Sequence, residues 1–485
     1  MSKVESNIVP ASSTSLSVDF CIIGAGSGGL SVAAAAAAFG QRVVLIEKHK
    51  MGGDCLNYGC VPSKALLSAG KRAHAIQTSA PFGITSQQPV IDYRAVHKHV
   101  HEVIGAIAPN DSVERFTGLG VQVITAAARF VDEKTVAAGD FRVTARWFVI
   151  ATGSSPSAPP ISGLSDVPYF TNETIFDNAQ LLPHLVVVGG GPIGLEMAQA
   201  HRRLGSKVTV IEAAKALGRD DPEMAIIVLQ RLRAEGVEII EDAKVTSVAR
   251  TAAGISATTL REGATRVIDA THLLVAAGRR PNISELGLEA AGISVDKKGI
   301  TVNPGLVTSN RRVFAIGDVA GGPQFTHIAN DDAGIVIRRA LFRLPAKTTG
   351  RAVPWVTFTE PELANAGLSE ADARTKFGKI NVLRWPYHEN DRAQAERETI
   401  GHVKVITDKG GRILGASIVG AHAGELIQMW SLALSQRLKI KAMTSWISPY
   451  PTLSEINKRA AFRYYATAAG NPFVRKIIAL LTKLG

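Results

Sequence analysis

The chain has 485 residues, of which 46% are hydrophobic and 20% charged, and it contains 45 glycines. This length exceeds one ordinary core, and the composition is typical of a soluble α/β protein with many tight turns, so we expect about three domains. Three cysteines in such a length exclude a secreted disulfide scaffold and favour a reducing compartment. The net charge of +12 permits attraction to anionic partners or membrane surfaces. Without zinc-finger spacing or an arginine-rich arm, it does not indicate nucleic acid.

The first residues show no targeting pattern. Residues 1–17 are rich in serine, with no basic region followed by an apolar core, so we read no secretory signal and expect a flexible N-terminus. No apolar run is long enough to span a bilayer. These features predict a cytoplasmic protein.

A glycine-rich turn follows the first apolar segment. Residues 18–23 are typical of a buried parallel strand, and Gly24-Ala25-Gly26-Ser27-Gly28-Gly29 comes next. An alanine-rich helix over 31–39 and a strand over 42–46 lead to Glu47. This order of strand, G-x-G-x-x-G, helix, strand and acid is the dinucleotide-binding fingerprint. The glycines admit a pyrophosphate to the helix N-terminus, and Glu47 can accept a hydrogen bond from a ribose hydroxyl. A merely tight strand-to-helix turn would not require the acid.

The same pattern occurs a second time. A strand over 185–188 precedes Gly189-Gly190-Gly191-Pro192-Ile193-Gly194, a helix runs to Leu204, and the strand 207–211 ends at Glu212. Two such units predict one bound flavin nucleotide and one exchangeable nicotinamide nucleotide. Glu212 favours NAD, because a carboxylate there would repel a 2′-phosphate. Basic residues nearby leave NADP disfavoured and not excluded: Arg202, Arg203, Lys207, Lys215 and Arg219.

Two of the three cysteines lie between the two glycine motifs, in the stretch GGDCLNYGCVPSK that ends at Lys64. A Cys-x4-Cys pair at the start of a helix can approach disulfide distance. Helix-start amides and the ammonium of Lys64 would favour thiolate over thiol at Cys55 and Cys60. The alternative is a pair of buried core thiols. The neighbouring glycine motif argues against that alternative.

The remaining segments indicate domain limits. Residues 71–118 are predicted to be helical, and His97, His99 and His101 alternate there in a way that spreads them around a helix, so no metal site is predicted. Short β segments over 121–149 lead to Ala-Thr-Gly at 151–153, and Pro156, Pro159 and Pro160 mark a boundary. A strand ends at Asp318, which either binds a polyol chain or caps the next helix. From about 351 the chain alternates β segments (353–358, 379–385, 402–407 and 413–420) with helices, which predicts an interface domain.

The C-terminal tail, residues 471–485, is amphipathic and basic. One helical face collects Phe473, Ile477, Leu480, Leu481 and Leu484, while Arg475, Lys476 and Lys483 lie mostly off it. Such a helix either lies on a membrane surface or docks on the protein's own body. Base rates favour docking on the body.

The motifs GAGSGG, GGDCLNYGCVPSK, ATG, GGGPIGLE, AAGRRPN, AIGD and PTLSE occur in the order found in a known family. Over about 18–465 the chain resembles the class I FAD- and NAD(P)-dependent pyridine nucleotide-disulfide oxidoreductases, the group of dihydrolipoamide dehydrogenase, glutathione reductase and mercuric reductase. The resemblance implies an α/β homodimer with two Rossmann-like dinucleotide-binding domains and a C-terminal α+β dimerisation domain. The implied division is FAD domain 18–155 and 279–350, NAD(P) domain 156–278, and dimerisation domain 351–470.

The resemblance also implies roles for individual residues. Around FAD it places Gly24, Gly26, Gly29, Glu47, Lys64, Ala128, Thr152, Gly153, Ser154, Asp318 and His327. Around the nicotinamide nucleotide it places Gly189, Gly191, Gly194, Glu212, Val245 and Gly278. Cys60 would lie against the flavin, and Cys55 would be the outward thiol that attacks substrate. Lys64 and Glu196 would form an ion pair beside the flavin.

The chain departs from the family pattern near its C-terminus. Relatives that act on disulfides carry a His immediately before Pro-Thr, supplied by the partner subunit and paired with a Glu five positions later. Here that position is Tyr450, while Glu455 is present. A phenol titrates near ~10 and an imidazole near ~6.5, and losing a general base costs roughly 10²–10⁴ in rate. Mercuric reductases also lack this His, but they carry a C-terminal cysteine pair, and this chain has no cysteine after Cys60.

The sequence therefore predicts an FAD-containing, NAD(P)H-linked oxidoreductase with a redox-active Cys55–Cys60 disulfide. It is most similar to dihydrolipoamide dehydrogenase, with a non-standard acceptor. One alternative uses the same groups to reduce a metal ion or a quinone, with Tyr450 near the acceptor. Another is a flavin-holding redox sensor without turnover, against which two intact nucleotide motifs argue.

Overall fold

The computed structural model describes residues 14–350, 352–469 and 472–484. The strands in chain order are β1 Thr14–Ile23, β2 Val43–Glu47, β3 Val121–Thr125, β4 Ala128–Asp132, β5 Thr135–Ala138, β6 Phe141–Ile150, β7 Ser154–Pro156, β8 His184–Val188, β9 Lys207–Ile211, β10 Val237–Ile240, β11 Lys244–Thr251, β12 Gly254–Arg261, β13 Ala264–Ala270, β14 His272–Val275, β15 Arg279–Pro281, β16 Val295–Asp296, β17 Gly299–Ile300, β18 Val313–Ala315, β19 Pro354–Thr357, β20 Glu362–Gly367, β21 Ile380–Pro386, β22 His402–Asp408 and β23 Ile413–Gly420. The helices are α1 Ser27–Ala38, α2 Gly53–Asn57, α3 Cys60–Gln77, α4 Tyr93–Ile107, α5 Val113–Gly118, α6 Pro192–Arg203, α7 Pro222–Ala234, α8 Thr326–Ala340, α9 Glu370–Phe377, α10 Asp391–Glu396, α11 Ala423–Leu426, α12 Gln428–Ser435, α13 Glu455–Ala469 and α14 Pro472–Thr482.

The first sheet has the order β3-β2-β1-β6-β5-β4, with β18 paired to β6. The strands β3, β2, β1, β6 and β18 run parallel, and the apolar ends of β1 and β2 are fully buried. Continuous apolar runs of this kind are what a parallel sheet covered on both faces requires.

Two boundaries differ from the prediction. Strand β1 begins at Thr14, which pairs with Phe141, so the expected flexible segment 1–17 is wrong for residues 14–17. Residues 1–13 of that prediction lie outside the described residues. Helix α1 begins at Ser27 and not at 31, because the glycine motif itself forms its first turn.

The second sheet repeats the local topology of the first. Its order is β10-β9-β8-β14, all parallel, and it is accompanied by the antiparallel sheet β11-β12-β13. Strand β8 lies between β9 and β14 in the same way that β1 lies between β2 and β6. In both sheets the connections reverse direction beside the strand that precedes the glycine motif. Ligands of such sheets bind at the carboxyl ends of the strands at that point.

A short ribbon joins the two parallel sheets. Strands β7 and β15 pair antiparallel, with Pro156 opposite Arg279 and Ser154 opposite Pro281. The chain therefore leaves the first unit and returns to it at one place, and β18 then completes the first sheet. The second nucleotide motif lies wholly between the two strands of the ribbon.

The C-terminal unit is built on the antiparallel sheet β19-β20-β23-β22-β21. Strands β19, β21, β22 and β23 correspond to the four predicted β segments. Strand β20 was not predicted, since its sequence ELANAG has weak β propensity. The core of the C-terminal unit includes Trp430 and Tyr387, which are fully buried. The predicted α/β class, with two Rossmann-like sheets and a C-terminal α+β unit, is confirmed.

Two helices depart from what the sequence predicted. In α4 the rings of His97 and His101 stack with centroids 4.1 Å apart, because residues four apart share a helix face, so the predicted spreading is wrong for this pair. In α14 no side chain is buried, so the predicted docking on the protein's own body is wrong within the described chain. Among the described residues, no helix combines the length and the apolar character needed to cross a membrane.

Candidate active site

Both glycine motifs, the cysteine stretch and the start of the C-terminal unit line a single cavity of about 2550 Å³. The predicted site residues that line it are Gly24, Gly26, Glu47, Cys55, Cys60, Lys64, Ala128, Thr152, Gly153, Ser154, Gly189, Gly191, Glu196, Glu212, Val245, Gly278, Asp318 and His327. The structure therefore brings together nearly every residue that the two motifs and the resemblance singled out. Gly29 and Gly194 lie behind the loops, and Tyr450 and Glu455 lie outside the lining.

The first glycine of each motif turns the chain out of the sheet. Gly24 and Gly189 have φ of +103° and +115°, a region that favours glycine. Gly29 and Gly194 then allow the helix to pack on that turn, since a Cβ there would lie 1.9 Å and 2.0 Å from the carbonyl oxygens of Gly24 and Gly189. Their role is close packing of helix against strand.

The middle glycines leave space for a ligand. Gly26 and Gly191 are the N-cap residues of α1 and α6, and no side chain caps either helix. A Cβ on Gly191 would meet nothing within 4 Å, and one on Gly26 would only touch the Cα of Gly53 at 4.0 Å. Uncapped amides facing an open cavity suit a pyrophosphate. The residues present thus fit two dinucleotides.

The acid that ends the second strand of each motif makes the same contacts in both units. Glu47 Oε2 accepts a hydrogen bond from the N–H of Ala25 at 2.7 Å, and Glu212 Oε2 accepts one from Gly190 at 2.7 Å. Their other oxygens accept from the backbone at 2.8 Å and 2.9 Å. Each carboxylate is thereby fixed beside its glycine loop, where a ribose would lie.

The two cysteines face the cavity as free thiols, Cys55 in the middle of the short helix α2 and Cys60 at the start of α3. A hydrogen bond from Cys55, together with Thr326 and the ammonium of Lys64, lowers the pKa of Cys60 to about 6 against the effect of burial. The Cys60 Sγ lies 3.3 Å from Thr326 Oγ1. The same pairing raises the pKa of Cys55, so one thiol carries the charge and the other the proton.

Lys64 links three parts of the chain at the cysteine pair. Its Nζ lies 2.8 Å from Oε2 of the buried Glu196 on α6, and 4.4 Å from the centre of the Phe358 ring. Glu196 Oε1 also accepts the N–H of Phe358 at 3.0 Å. The cation beside Cys60 is therefore held by the second nucleotide unit and by the C-terminal unit.

A polar network next to Cys55 was not expected. Arg279 donates to Ser154 Oγ at 2.8 Å and lies 3.2 Å from Asp54 Oδ1, and Ser154 donates to Asp318 Oδ2 at 2.5 Å. Asn172 donates to Asp54 Oδ1 at 3.1 Å. Burial raises the pKa of Asp318. Of these residues the sequence indicated Ser154 and Asp318, and the motif AAGRRPN contained the signal for Arg279.

At the far end of the chain, Tyr450 is 69% exposed and donates to Asp391 Oδ2 at 2.8 Å. Glu455 pairs instead with Arg459 at 2.7 Å. The carboxylate that contacts the tyrosine is thus not the one that the resemblance implied. No motif or spacing in the sequence indicated a role for Asp391.

Other predicted positions show local constraints. The His327 imidazole Nε2 donates to the carbonyl oxygen of Pro354 at 2.8 Å, and burial lowers the pKa of His327. Within the described ranges, no group of three or more His, Cys, Asp or Glu residues is arranged to hold a metal ion.

The sequence profile of the pyridine nucleotide-disulphide oxidoreductases matches residues 18–333, and that of their dimerisation domain matches residues 353–461. The chain belongs to this family. The match implies FAD and a nicotinamide nucleotide as cofactors, and the dimerisation domain supports a homodimer. The protein is therefore an oxidoreductase of the flavin-dependent disulfide reductase type.

Individual relatives cover almost the whole chain. A mercuric reductase of Streptomyces lividans is 35% identical over 460 residues, which are 93% of this chain and 97% of the relative. A dihydrolipoyl dehydrogenase of Geobacillus stearothermophilus is 35% identical over 448 residues, covering 91% and 94%. The HOCl-induced flavoprotein disulfide reductase RclA from Escherichia coli superposes with a TM-score of 0.82 at 30% identity, covering 91% of this chain and 99% of RclA. These relatives differ in acceptor, so they do not distinguish between acceptors here.

Proposed function

We propose that this protein passes electrons between NAD(H) and a redox-active Cys55–Cys60 pair, in the manner of a dihydrolipoyl dehydrogenase with a non-standard acceptor. The observation that carries the proposal is the shared cavity in which the two cysteines lie between both glycine motifs. FAD bound there would supply the carrier between the nicotinamide and the sulfurs. On this proposal the FAD domain is 18–155 with 279–350, the NAD domain is 156–278, and the dimerisation domain is 351–470.

The roles of the residues follow from their positions. Gly24, Gly26, Glu47 and Asp318 would hold FAD, with Asp318 on its polyol chain, and Gly189, Gly191 and Glu212 would hold the nicotinamide nucleotide. The remaining FAD residues would be Gly29, Lys64, Ala128, Thr152, Gly153, Ser154 and His327, and the remaining nicotinamide residues Gly194, Val245 and Gly278. NAD would be preferred over NADP because the carboxylate of Glu212, fixed beside the second glycine loop, would repel a 2′-phosphate.

Charge at the cysteine pair supports the assignment of the two sulfurs. Cys60 would be the thiolate inside the site, stabilised by Lys64 and by the hydrogen bond from Cys55. Cys55 would be the outward thiol that meets the acceptor. In the oxidative half of the cycle, the Cys55 thiol and the Cys60 thiolate give two electrons to the acceptor, the S–S bond forms, and the one proton held by Cys55 leaves. Glu196 holds the ammonium of Lys64 beside the two sulfurs throughout this change.

The acceptor is non-standard because Tyr450 stands where disulfide-directed relatives carry His. In a homodimer, Tyr450 of the partner subunit would face the sulfurs. Its contact with Asp391 raises the pKa of the phenol, so even less phenolate is present at neutral pH to accept a proton. A lipoamide-like disulfide, which needs a base to shuttle the thiol proton, would therefore turn over slowly.

A metal ion or a quinone is the second candidate for the acceptor. It is favoured by the carboxylate of Asp391 beside Tyr450, since a carboxylate binds a cation without needing a general base. RclA, the similar flavoprotein, has been crystallised as a Cu(II) complex. The quinone version would act in the cytoplasm at the membrane surface, with the C-terminal tail as the peripheral contact. A redox sensor without turnover is the third candidate.

Anaerobic mixing of the flavin-loaded protein with NADH tests the proposal. We expect NADH to bleach the absorbance of the flavin and to generate two titratable thiols. The variants Cys55→Ser and Cys60→Ser should not generate these thiols. Mixing the reduced protein with lipoamide, mercuric ion or a quinone in turn identifies the acceptor. Rapid turnover of the wild type with lipoamide would contradict the reading of Tyr450. Failure of NADH to bleach the flavin would favour the sensor.

A matched variant sharpens the test. Tyr450→His supplies an imidazole at the position that relatives use, and we expect it to raise turnover with lipoamide by at least roughly 10-fold, and by no more than the 10²–10⁴ attributed to a general base. Reduction by NADH should stay at the wild-type rate, because the proton shuttle at position 450 would serve only the reaction with the disulfide acceptor. Tyr450→Phe serves as the control, since it removes the hydroxyl without adding a base.

A further inference from the structure

Helix α14 presents an apolar face whose leucines are largely exposed in the described chain. Leu480, Leu481 and Leu484 are 60%, 58% and 76% exposed, and no side chain of α14 is buried. At 100° per residue these leucines, Phe473 and Ile477 fall on one arc of the helix. A continuous exposed stripe of this kind is unusual on a protein surface and marks an interaction site.

The opposite arc and the sequence before it are cationic. From 456 to 485 the chain contains six basic residues and no Asp or Glu: Lys458, Arg459, Arg463, Arg475, Lys476 and Lys483. A cationic arc beside an apolar stripe is complementary to a surface that is anionic at its headgroups and apolar beneath.

A second copy of the chain fits this face poorly. The other copy carries the same net charge of +12 and the same basic tail, so the two tails repel. The match to the family's dimerisation domain also ends at residue 461, before α14 begins. The tail is thus an addition to the part of the chain that pairs with a partner subunit.

We propose that α14 lies in the surface of an anionic phospholipid membrane, with its leucines among the acyl chains and Lys476 and Lys483 at the headgroups. This specifies the peripheral contact proposed above and does not depend on the identity of the acceptor. One short helix holds a protein only reversibly, but a dimer presents two, and the second binds at high effective concentration.

Sedimentation of the flavin-loaded, full-length protein with vesicles tests the proposal. We expect binding to vesicles of equimolar phosphatidylcholine and phosphatidylglycerol, weakening as salt is raised, and no binding to phosphatidylcholine alone. Each basic residue near an anionic surface contributes roughly 1 kcal/mol, so Lys476→Gln with Lys483→Gln should weaken binding about 30-fold. The control, Arg250→Gln with Arg261→Gln, removes two equally exposed charges elsewhere and should leave binding unchanged.

The apolar face is tested separately. Leu480→Ser with Leu481→Ser keeps the charge and should also abolish sedimentation, since both side chains are exposed and their loss should not unfold the protein. Equal binding to both kinds of vesicle, or equal weakening by the control pair, would overturn the proposal. So would a change from dimer to monomer, measured by light scattering, when the chain is stopped after residue 469. NADH bleaching is followed on every variant: loss of bleaching with intact vesicle binding would count against the redox proposal alone.

Discussion

The phenol of Tyr450 donates its hydrogen bond to Asp391, 59 residues earlier in the chain, and not to Glu455, five residues later. Asp391 is the first residue of α10, and Glu455 begins α13, where it pairs with Arg459 one turn on. The carboxylate that orients the Tyr450 phenol therefore belongs to α10 and not to α13.

Removal of the Asp391 charge should make Tyr450 easier to ionise. Asp391 raises the pKa of the phenol by accepting its hydrogen bond and by its negative charge. Asp391→Asn should consequently lower the pKa of Tyr450 towards its ordinary value near ~10, measured by ultraviolet titration against Tyr450→Phe. Glu455→Gln is the matched control and should have a much smaller effect. A larger effect at Glu455 would contradict the pairing seen here.

The charge of the Cys60 thiolate should depend on Lys64. The pKa of Cys60 is about 6, below the ordinary value of 9.0, so in the reduced protein the thiolate should persist down to about pH 6 and be lost below it. Lys64→Met removes a cation and should move that transition to higher pH. The measurement is the ultraviolet absorbance of thiolate as a function of pH, taken as the difference from Cys60→Ser.

Lys71→Met is the control for this titration. It removes an exposed cation from the same helix, but Lys71 pairs with Glu360 at 2.7 Å and does not act on the sulfurs. Its transition should coincide with that of the wild type. An unchanged transition in Lys64→Met would show that the hydrogen bonds from Cys55 and Thr326 suffice.

The two equivalent acids should control different cofactors. Glu212→Gln removes a charged acceptor for the adenosine ribose of NADH, which costs roughly 1.5–3 kcal/mol, so KM for NADH should rise tenfold or more while that for NADPH changes less. Glu47→Gln makes the same change in the first unit and should instead weaken retention of FAD. Steady-state kinetics with both nucleotides and the flavin content after gel filtration measure these effects. Identical phenotypes would contradict the assignment of one cofactor to each loop.

The glycines of the second loop should separate binding from folding. Gly194→Ala forces a Cβ to within 2.0 Å of a backbone oxygen, and overpacking of this kind costs about 3 kcal/mol, so we expect a lower Tm. Gly191→Ala meets nothing within the protein and extends into the cavity. It should keep the wild-type Tm and raise KM for NADH. Gly194→Ala should thus lower Tm, measured by calorimetry, whereas Gly191→Ala should raise KM for NADH, measured by steady-state kinetics.

Local patterns predicted the units of this fold, whereas contacts between distant segments could not be predicted. Each fingerprint specifies its own strand, turn, helix and acid, so the sequence predicted that Glu47 and Glu212 lie beside their glycine loops, where each carboxylate accepts a backbone hydrogen bond from a residue 22 positions earlier. The contact of Cys60 with Thr326 spans 266 residues, and that of Asp54 with Asn172 spans 118. Such pairs depend on how the units pack against one another. The local hydrophobic periodicity of a single sequence does not reveal that packing.

The tail illustrates the same limit. Its periodicity identified the apolar face of α14, because one helix determines which of its own residues lie together. What covers that face depends on other surfaces. Base rates favoured the protein's own body, and the described chain leaves the face exposed.

Because β7 and β15 pair in a ribbon, the second nucleotide unit begins and ends at neighbouring positions in space. A segment whose entry and exit lie side by side can be gained, exchanged or deleted without threading the chain through the host sheet. Replacing 157–278 by a short turn between Pro156 and Arg279 would keep the hydrogen bonds of the host sheet. This geometry gives a physical route by which an ancestral protein with one loop could acquire the second by duplication.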